Sequence, residues 1–238
     1  MSVVAGLGPS AFNYLRELAA NQTKAWFEAN RTRYETEVRG PAMALTEHVG
    51  AALATAGLPL SGDAKRSMFR INRDVRFSKD KRPYKTHLGM IWMRPGFKKM
   101  SPGILYLHVA DDGCFVAAGF YGLERPMLDA IRGGIRDDGP IFLQAVAAAE
   151  AAGLALDTSD CTVRMPLGFE TVTDPALVPA IKSRHLVVRR ALTKKDVASG
   201  AGLVRTLVAA VTASVPLLEF GWEALAESGP APEWSRLK

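Results

Sequence analysis

Eighteen residues of this chain, Arg70 to His87, read "RINRDVRFSKDKRPYKTH" and concentrate the groups best suited to chemistry. They hold Arg70, Arg73, Arg76, Lys79, Lys81, Arg82 and Lys85 against Asp74 and Asp80. Arginine offers a planar fork of donors matched to phosphate and carboxylate oxygens, and lysine adds a compact point charge. Arg70, Arg73, Arg76, Lys79, Lys81 and Lys85 are therefore expected to bind an anion, with Asp74 holding a guanidinium in place. Asp74, Asp80, Tyr84 and His87 are the nearest groups able to take part in a reaction, histidine being the usual proton carrier near neutral pH. The competing reading is structural: the two acids anchor the arginines and rigidify the local chain. Surface ion pairs are each worth only about 0–1 kcal/mol, so stability alone is a weak reason for this density.

The formal net charge is +6, and this one stretch carries five of those charges. The rest of the chain is close to neutral, so the excess points to an anionic partner at one place. A phosphorylated or acidic small molecule is the expected ligand. The alternative is a nucleic-acid groove that adds Lys98, Lys99 and the bases between Lys182 and Lys195, with Phe77 and Tyr84 to stack on. Against it, the charge is compact and interleaved with Asp, whereas a polymer needs a longer track. A third reading is a module that docks an acidic protein. The residues do not say whether a reaction occurs.

Other chemistries find little support. Asp74, Asp80 and His87 have no metal-ligand spacing, and the surrounding positive charge disfavours a cation. No GxxxxGK[ST], GxGxxG or GxSxG motif occurs, so no cofactor is named by the sequence. His108 alternates with Tyr106 and reads as a core or edge residue, while His48 and His185 have no partner that spacing identifies. Only two cysteines occur in 238 residues, outside any CxxC pattern, which fits a reducing cytoplasm. No unbroken run reaches the roughly 18 apolar residues of a membrane helix, and the first residues lack a leader-like basic region.

The elements that must position the stretch follow from hydrophobic spacing. Phe12, Leu15 and Leu18 recur on one helical face, Asn21-Gln22-Thr23 breaks it, and Trp26, Phe27, Tyr34 and Val38 define more helix. Pro41 starts a further helix, closed by Gly57. Phe69, Ile71, Val75 and Phe77 alternate with polar residues and predict a strand, or equally a strand that passes into a turn, followed by a loop from Ser78 to Arg82. Leu88–Met93 is a short apolar run. Gly96 and Pro102 bracket a basic loop. "ILYLHVA" (104–110) and "CFVAAGFYG" (114–122) form a hairpin about Asp112-Gly113. Leu128, Ile131 and Ile135 mark a helix with Arg132 and Arg136 on its other side, and Ile141–Ala152 is a second helix. Asp174-Pro175 starts a short one, and His185–Leu192 reads as an edge strand. Thr193 with Asp196 caps a helix that Pro216 interrupts, and a Pro-rich tail from Ser228 is loose. The order predicts one α+β domain, 1–238, with a central antiparallel sheet flanked by N-terminal and C-terminal helices.

Arg70, Arg73, Asp74, Arg76, Phe77, Asp80, Lys81 and Tyr84 resemble the signature of a widespread bacterial and fungal family of uncharacterised proteins about as long as this chain. The opening helices, "MPLGFE" and "LVVRRAL" are similar to that family more loosely. One departure is "GFYGLERP", where Pro126 falls late for the compact turn expected there. The resemblance implies a shared α+β fold and no established activity.

Overall fold

The computed structural model describes residues 6–76, 79–96 and 102–227. The expected loop at Lys98-Lys99 and the tail from Ser228 lie outside these. The N-terminal layer begins with α1 (Pro9–Ala20) and α2 (Lys24–Ala29), the second capped by the Thr23 hydroxyl accepting from the Trp26 N–H. A short turn, α3 (Arg31–Arg33), leads into a π-helical turn, Tyr34–Arg39, and then α4 (Gly40–Thr55). Pro41 sits in the first turn of α4, as expected, and the π-helical turn runs into that helix without a gap. The wider turn lets Gly40 donate to the Glu35 carbonyl just where proline removes a donor from the ladder.

After α5 (Ala64–Ser67) come β1 (His87–Met93), β2 (Ile104–Ala110) and β3 (Cys114–Phe120). Next are α6 (Arg125–Asp137), α7 (Gly139–Ala151), β4 (Ala155–Leu156), α8 (Val178–Lys182), β5 (Leu186–Leu192), α9 (Lys194–Ala198) and α10 (Ala201–Glu227). The fold is α+β: the sheet is antiparallel in every pairing, in the order β1-β2-β3-β5-β4. The 104–120 hairpin turns at the expected Asp112-Gly113. The last expected strand is not an edge, because β5 pairs with β3 along its whole length and with the two-residue β4 on its other side.

Two further expectations change. Arg132 is buried, not on the outer side of its helix: its guanidinium donates to the Ile181 and Ser183 carbonyls at 2.8 and 2.9 Å and to Asp129 at 2.9 Å. It thereby satisfies carbonyls at the C-terminal end of α8, where a cation is favoured. Pro216 does not break the last helix, since α10 continues through it. Its buried side chains, among them Leu203, Leu207, Val211 and Leu218, pack on β3, α6, α7 and α4, and this packing outweighs one lost hydrogen bond. By mean hydropathy, 1.7 over 18 residues, α10 has the length and composition to cross a membrane. The criterion of an unbroken apolar run misses this; in this fold α10 is a central core helix.

Strand alternation then fixes two faces. Leu88, Met90 and Trp92, with Leu105, Leu107, Val109, Val116, Phe120 and Val188, face the helices as one continuous core. The opposite face carries His87, Tyr106, His108, Phe115, His185 and Arg189, and a cleft opens on it.

Candidate functional site: a ladder of rings on the open sheet face

Among its described residues, 70–76 and 79–87, the basic stretch pairs as an irregular hairpin and not as a regular strand; the expected strand end at Phe77 and loop start at Ser78 lie outside them. Arg73 donates its N–H to the Pro83 carbonyl and Lys85 to that of Ile71, both at 2.8 Å, and Asn72 bridges Tyr84. Exposure still alternates, with Arg70, Asn72, Asp74 and Arg76 outward and Ile71 buried. Two turns of the same design follow. Asp74 accepts from the backbone N–H and guanidinium of Arg76, and Asp80 does so from Arg82. Both carboxyls are held well below their usual range, first by the arginine side chain and then by its N–H. Asp80 also reaches Arg73 at 3.2 Å, the carboxylate partner that a half-buried arginine requires. Lys81 closes the loop onto the Val75 carbonyl at 2.9 Å.

This geometry disperses the expected anion-binding set. Arg70, Arg76, Lys79 and Lys81 are exposed, and of the six cations only Lys85 lines the cleft among the described residues. Of the four candidate reactive groups, only His87 does. Asp74 and Asp80 serve the hairpin turns. Tyr84 is buried on the far side, stacked on Phe27 at 4.5 Å, with its N–H donated to the Gln22 side chain at 3.1 Å. The hairpin is thus clamped to the helical layer through Tyr84 and delivers Lys85 and His87 to the start of β1.

There they meet residues from the other strands. The His87 ring stacks on His108 at 4.5 Å, His108 on Phe115 at 4.7 Å, and the Arg189 guanidinium lies over Phe115 at 4.4 Å. One planar group comes from each of β1, β2, β3 and β5, and each step is close to the spacing of neighbouring strands. His108 and Phe115 are directly opposed in register. His87 and Arg189 lean in from positions two residues away, across the small Gly89 and Ala191 that face His108 and Phe115. Any side chain at Gly89 meets Phe69 at 2.9 Å and Tyr106 at 3.0 Å, so glycine is what lets those rings close over β1. The Tyr106 hydroxyl lies 3.0 Å from His108 Nδ1 and fixes that ring.

Because the four groups stack face to face, they present edges to the cleft. Ring edges carry the positive side of the aromatic quadrupole, and imidazole and guanidinium edges carry N–H donors. Lys85 adds a cation at one end, its Nζ donating to the Arg70 carbonyl at 3.1 Å and lying over the Phe69 ring. Burial, then Arg70 and Arg73, push its ammonium below the usual range. Burial pushes His87 down to about 4, helped by His108, Lys85 and Arg73 and opposed by Asp112. His108 moves down as well, chiefly through burial. Burial raises the Tyr106 phenol to about 12. Both imidazoles are consequently neutral at pH 7. At the far end, burial raises Asp157, yet Ser159, Arg189 and His185 outweigh it and hold its carboxyl below the usual range.

The cleft measures about 620 Å³, within the range of small-molecule sites, roughly 300–1,000 Å³. Fold and cleft together define an α+β protein whose antiparallel sheet is packed on one face and carries a ligand-sized, edge-lined cleft on the other. Residues 10–220 match the family described as "Conserved hypothetical protein (DUF2461)", and the chain belongs to that family. Comparison with curated proteins and with solved structures gave no significant match.

Sequence reasoning placed Tyr106 and His108 on one strand face but gave neither a role, counted Arg189 only among the bases of a nucleic-acid groove, and left out Phe115 and Asp157. Alternation in "ILYLHVA" carries the signal for the first pair. Nothing local signals the others, which come from separate strands and a loop. Among the described residues, no group of three His, Cys, Asp or Glu is arranged to hold a metal ion.

Proposed function

We propose that the protein binds a small organic anion, a phosphate or carboxylate, in the cleft on the open sheet face. The observation that carries this reading is the ladder His87–His108–Phe115–Arg189, whose edges line the cleft beside Lys85. Positive ring edges and N–H donors beside Lys85 favour an oxyanion there, while Asp157 and Asp160 also line the cleft. Arg70 and Arg73 do not line it, but both lower the Lys85 pKa, and Arg73 that of His87, so the basic stretch raises the positive potential at that end. The same stacking disfavours the nucleic-acid reading, because both faces of His108 and Phe115 are taken and Tyr84 is stacked on Phe27.

The test is ligand-induced thermal stabilisation with sulfate, a panel of organic phosphates and carboxylates, and a single-stranded oligonucleotide. Stabilisation by a small anion, lost in Lys85→Met and kept in Arg76→Ala, is the expected result. A response confined to the oligonucleotide, or one equally sensitive to both substitutions, overturns the proposal. A bound anion raises the pKa of His87 and His108, so affinity for sulfate, whose charge is constant, rises between pH 7.5 and 5.5.

A further inference from the structure

At the end of the cleft away from Lys85, His185 is 95% buried, and its Nε2 has no hydrogen-bond partner. Asp157 Oδ2 lies 3.7 Å away, beyond hydrogen-bond reach and within ion-pair distance only of a protonated ring. A buried polar atom left unpaired is destabilising, and native structures keep few without a reason. Here the surroundings supply one. His185 precedes β5 on the same face as Val187 and Arg189, and His185, Asp157 and Ser159 all line the cleft. Asp157 is fixed in place: its N–H donates to the Val187 carbonyl at 2.8 Å and its Oδ1 accepts from the Ser159 N–H at 3.0 Å. The Tyr121 ring lies 5.5 Å from the imidazole and backs it. A charged carboxylate beside the ring favours the tautomer with hydrogen on Nε2. The gap is then bordered by one N–H donor and one carboxylate acceptor.

A hydroxyl satisfies both with one atom, accepting from His185 Nε2 and donating to Asp157 Oδ2. A second anion does not fit, because Asp157 repels it. An alkyl group does not fit either, because it leaves His185 Nε2 unpaired, whereas Asp157 Oδ2 also accepts from Arg189 Nη1 at 3.4 Å. We infer that this end of the cleft is a hydroxyl-binding subsite, so that the ligand is a polyhydroxylated anion such as a sugar phosphate or sugar acid. The inference rests on the anion reading above and narrows it to a substrate class.

Matched probes separate the two. Glycerol 3-phosphate, ribose 5-phosphate and glucose 6-phosphate are compared by calorimetry with propyl, pentyl and hexyl phosphate, and gluconate with hexanoate. At least one hydroxylated probe is expected to bind ten-fold or more tightly than its alkyl counterpart. His185→Leu is expected to abolish that preference, with alkyl phosphate affinity equal to or above that of the unchanged protein, and Asp157→Asn to reduce it. Lys85→Met is expected to weaken both sets alike. The thermal midpoint of His185→Leu should be no lower than that of the unchanged protein, since an orphaned polar atom is removed. Alkyl probes binding as tightly as hydroxylated ones throughout, or a preference that survives His185→Leu, overturns the subsite and leaves the anion site standing. A large loss of thermal stability in His185→Leu likewise overturns it, by showing that the imidazole is satisfied without ligand. Absence of binding by both sets overturns the anion reading and the subsite together.

Discussion

His87 offers the most quantitative check on the electrostatics of the cleft. Its imidazole titrates at about 4 in the folded chain, against about 6.5 when unfolded, because burial and three basic neighbours disfavour its charge. The folded pKa lies below the unfolded one, so the unfolded chain takes up the proton first as pH falls. Stability is therefore complete above about pH 6.5 and is lost progressively toward pH 4. At pH 5 the unfolded imidazole is almost wholly protonated and the folded one about one tenth so, which amounts to a loss of about 2 kcal/mol relative to pH 7.5. His108 acts in the same direction. Urea denaturation at pH 7.5 and 5.0 measures the change, and His87→Gln should cut the loss by about 2 kcal/mol. Titration of the ring by NMR gives the pKa directly. Equal pH dependence in His87→Gln and the unchanged protein, or a ring titrating near 6.5, refutes the reasoning. Added sulfate should shrink the loss, because a bound anion favours the imidazolium that burial disfavours.

Two structural predictions follow from single buried groups. Arg132→Ala leaves the Ile181 and Ser183 carbonyls without their guanidinium donor and is expected to cost about 3 kcal/mol by urea denaturation, with Arg132→Lys recovering little, because one ammonium does not span both carbonyls and Asp129. Gly119 has φ of +133° and lies so close to the Leu186 carbonyl on β5 that Gly119→Ala is expected to cost about 3 kcal/mol or more and to loosen the β3–β5 pairing, read by amide hydrogen exchange at Val187 and Val188.

Much of this architecture is legible in the sequence because local chemistry carries it. Period-two alternation in "ILYLHVA" and the Asp112-Gly113 turn mark a hairpin, and the Thr193–Asp196 capping box marks a helix start, since each depends only on neighbouring residues. Charge counting likewise locates the basic stretch without any fold. The errors share one cause. Pro216 reads as a break because proline removes a local hydrogen bond, whereas packing of α10 decides the outcome. Arg132 reads as exposed because charged residues usually are, whereas carbonyls some 50 residues away hold it inside.

The sequence by itself determined that Arg70–His87 holds the chain's basic excess, that Asp74 and Asp80 lie two residues before the arginines they hold, and that the middle of the chain pairs as antiparallel strands. Those facts depend on composition and on separations of a few residues. Only the tertiary structure decided that Tyr84 turns into the helical layer while Lys85 and His87 turn toward the sheet. It alone aligned His87, His108, Phe115 and Arg189 into one ladder, and set His185 against Asp157. A ladder needs strand register, and register sums backbone pairings over more than a hundred residues, which no short segment of the chain encodes.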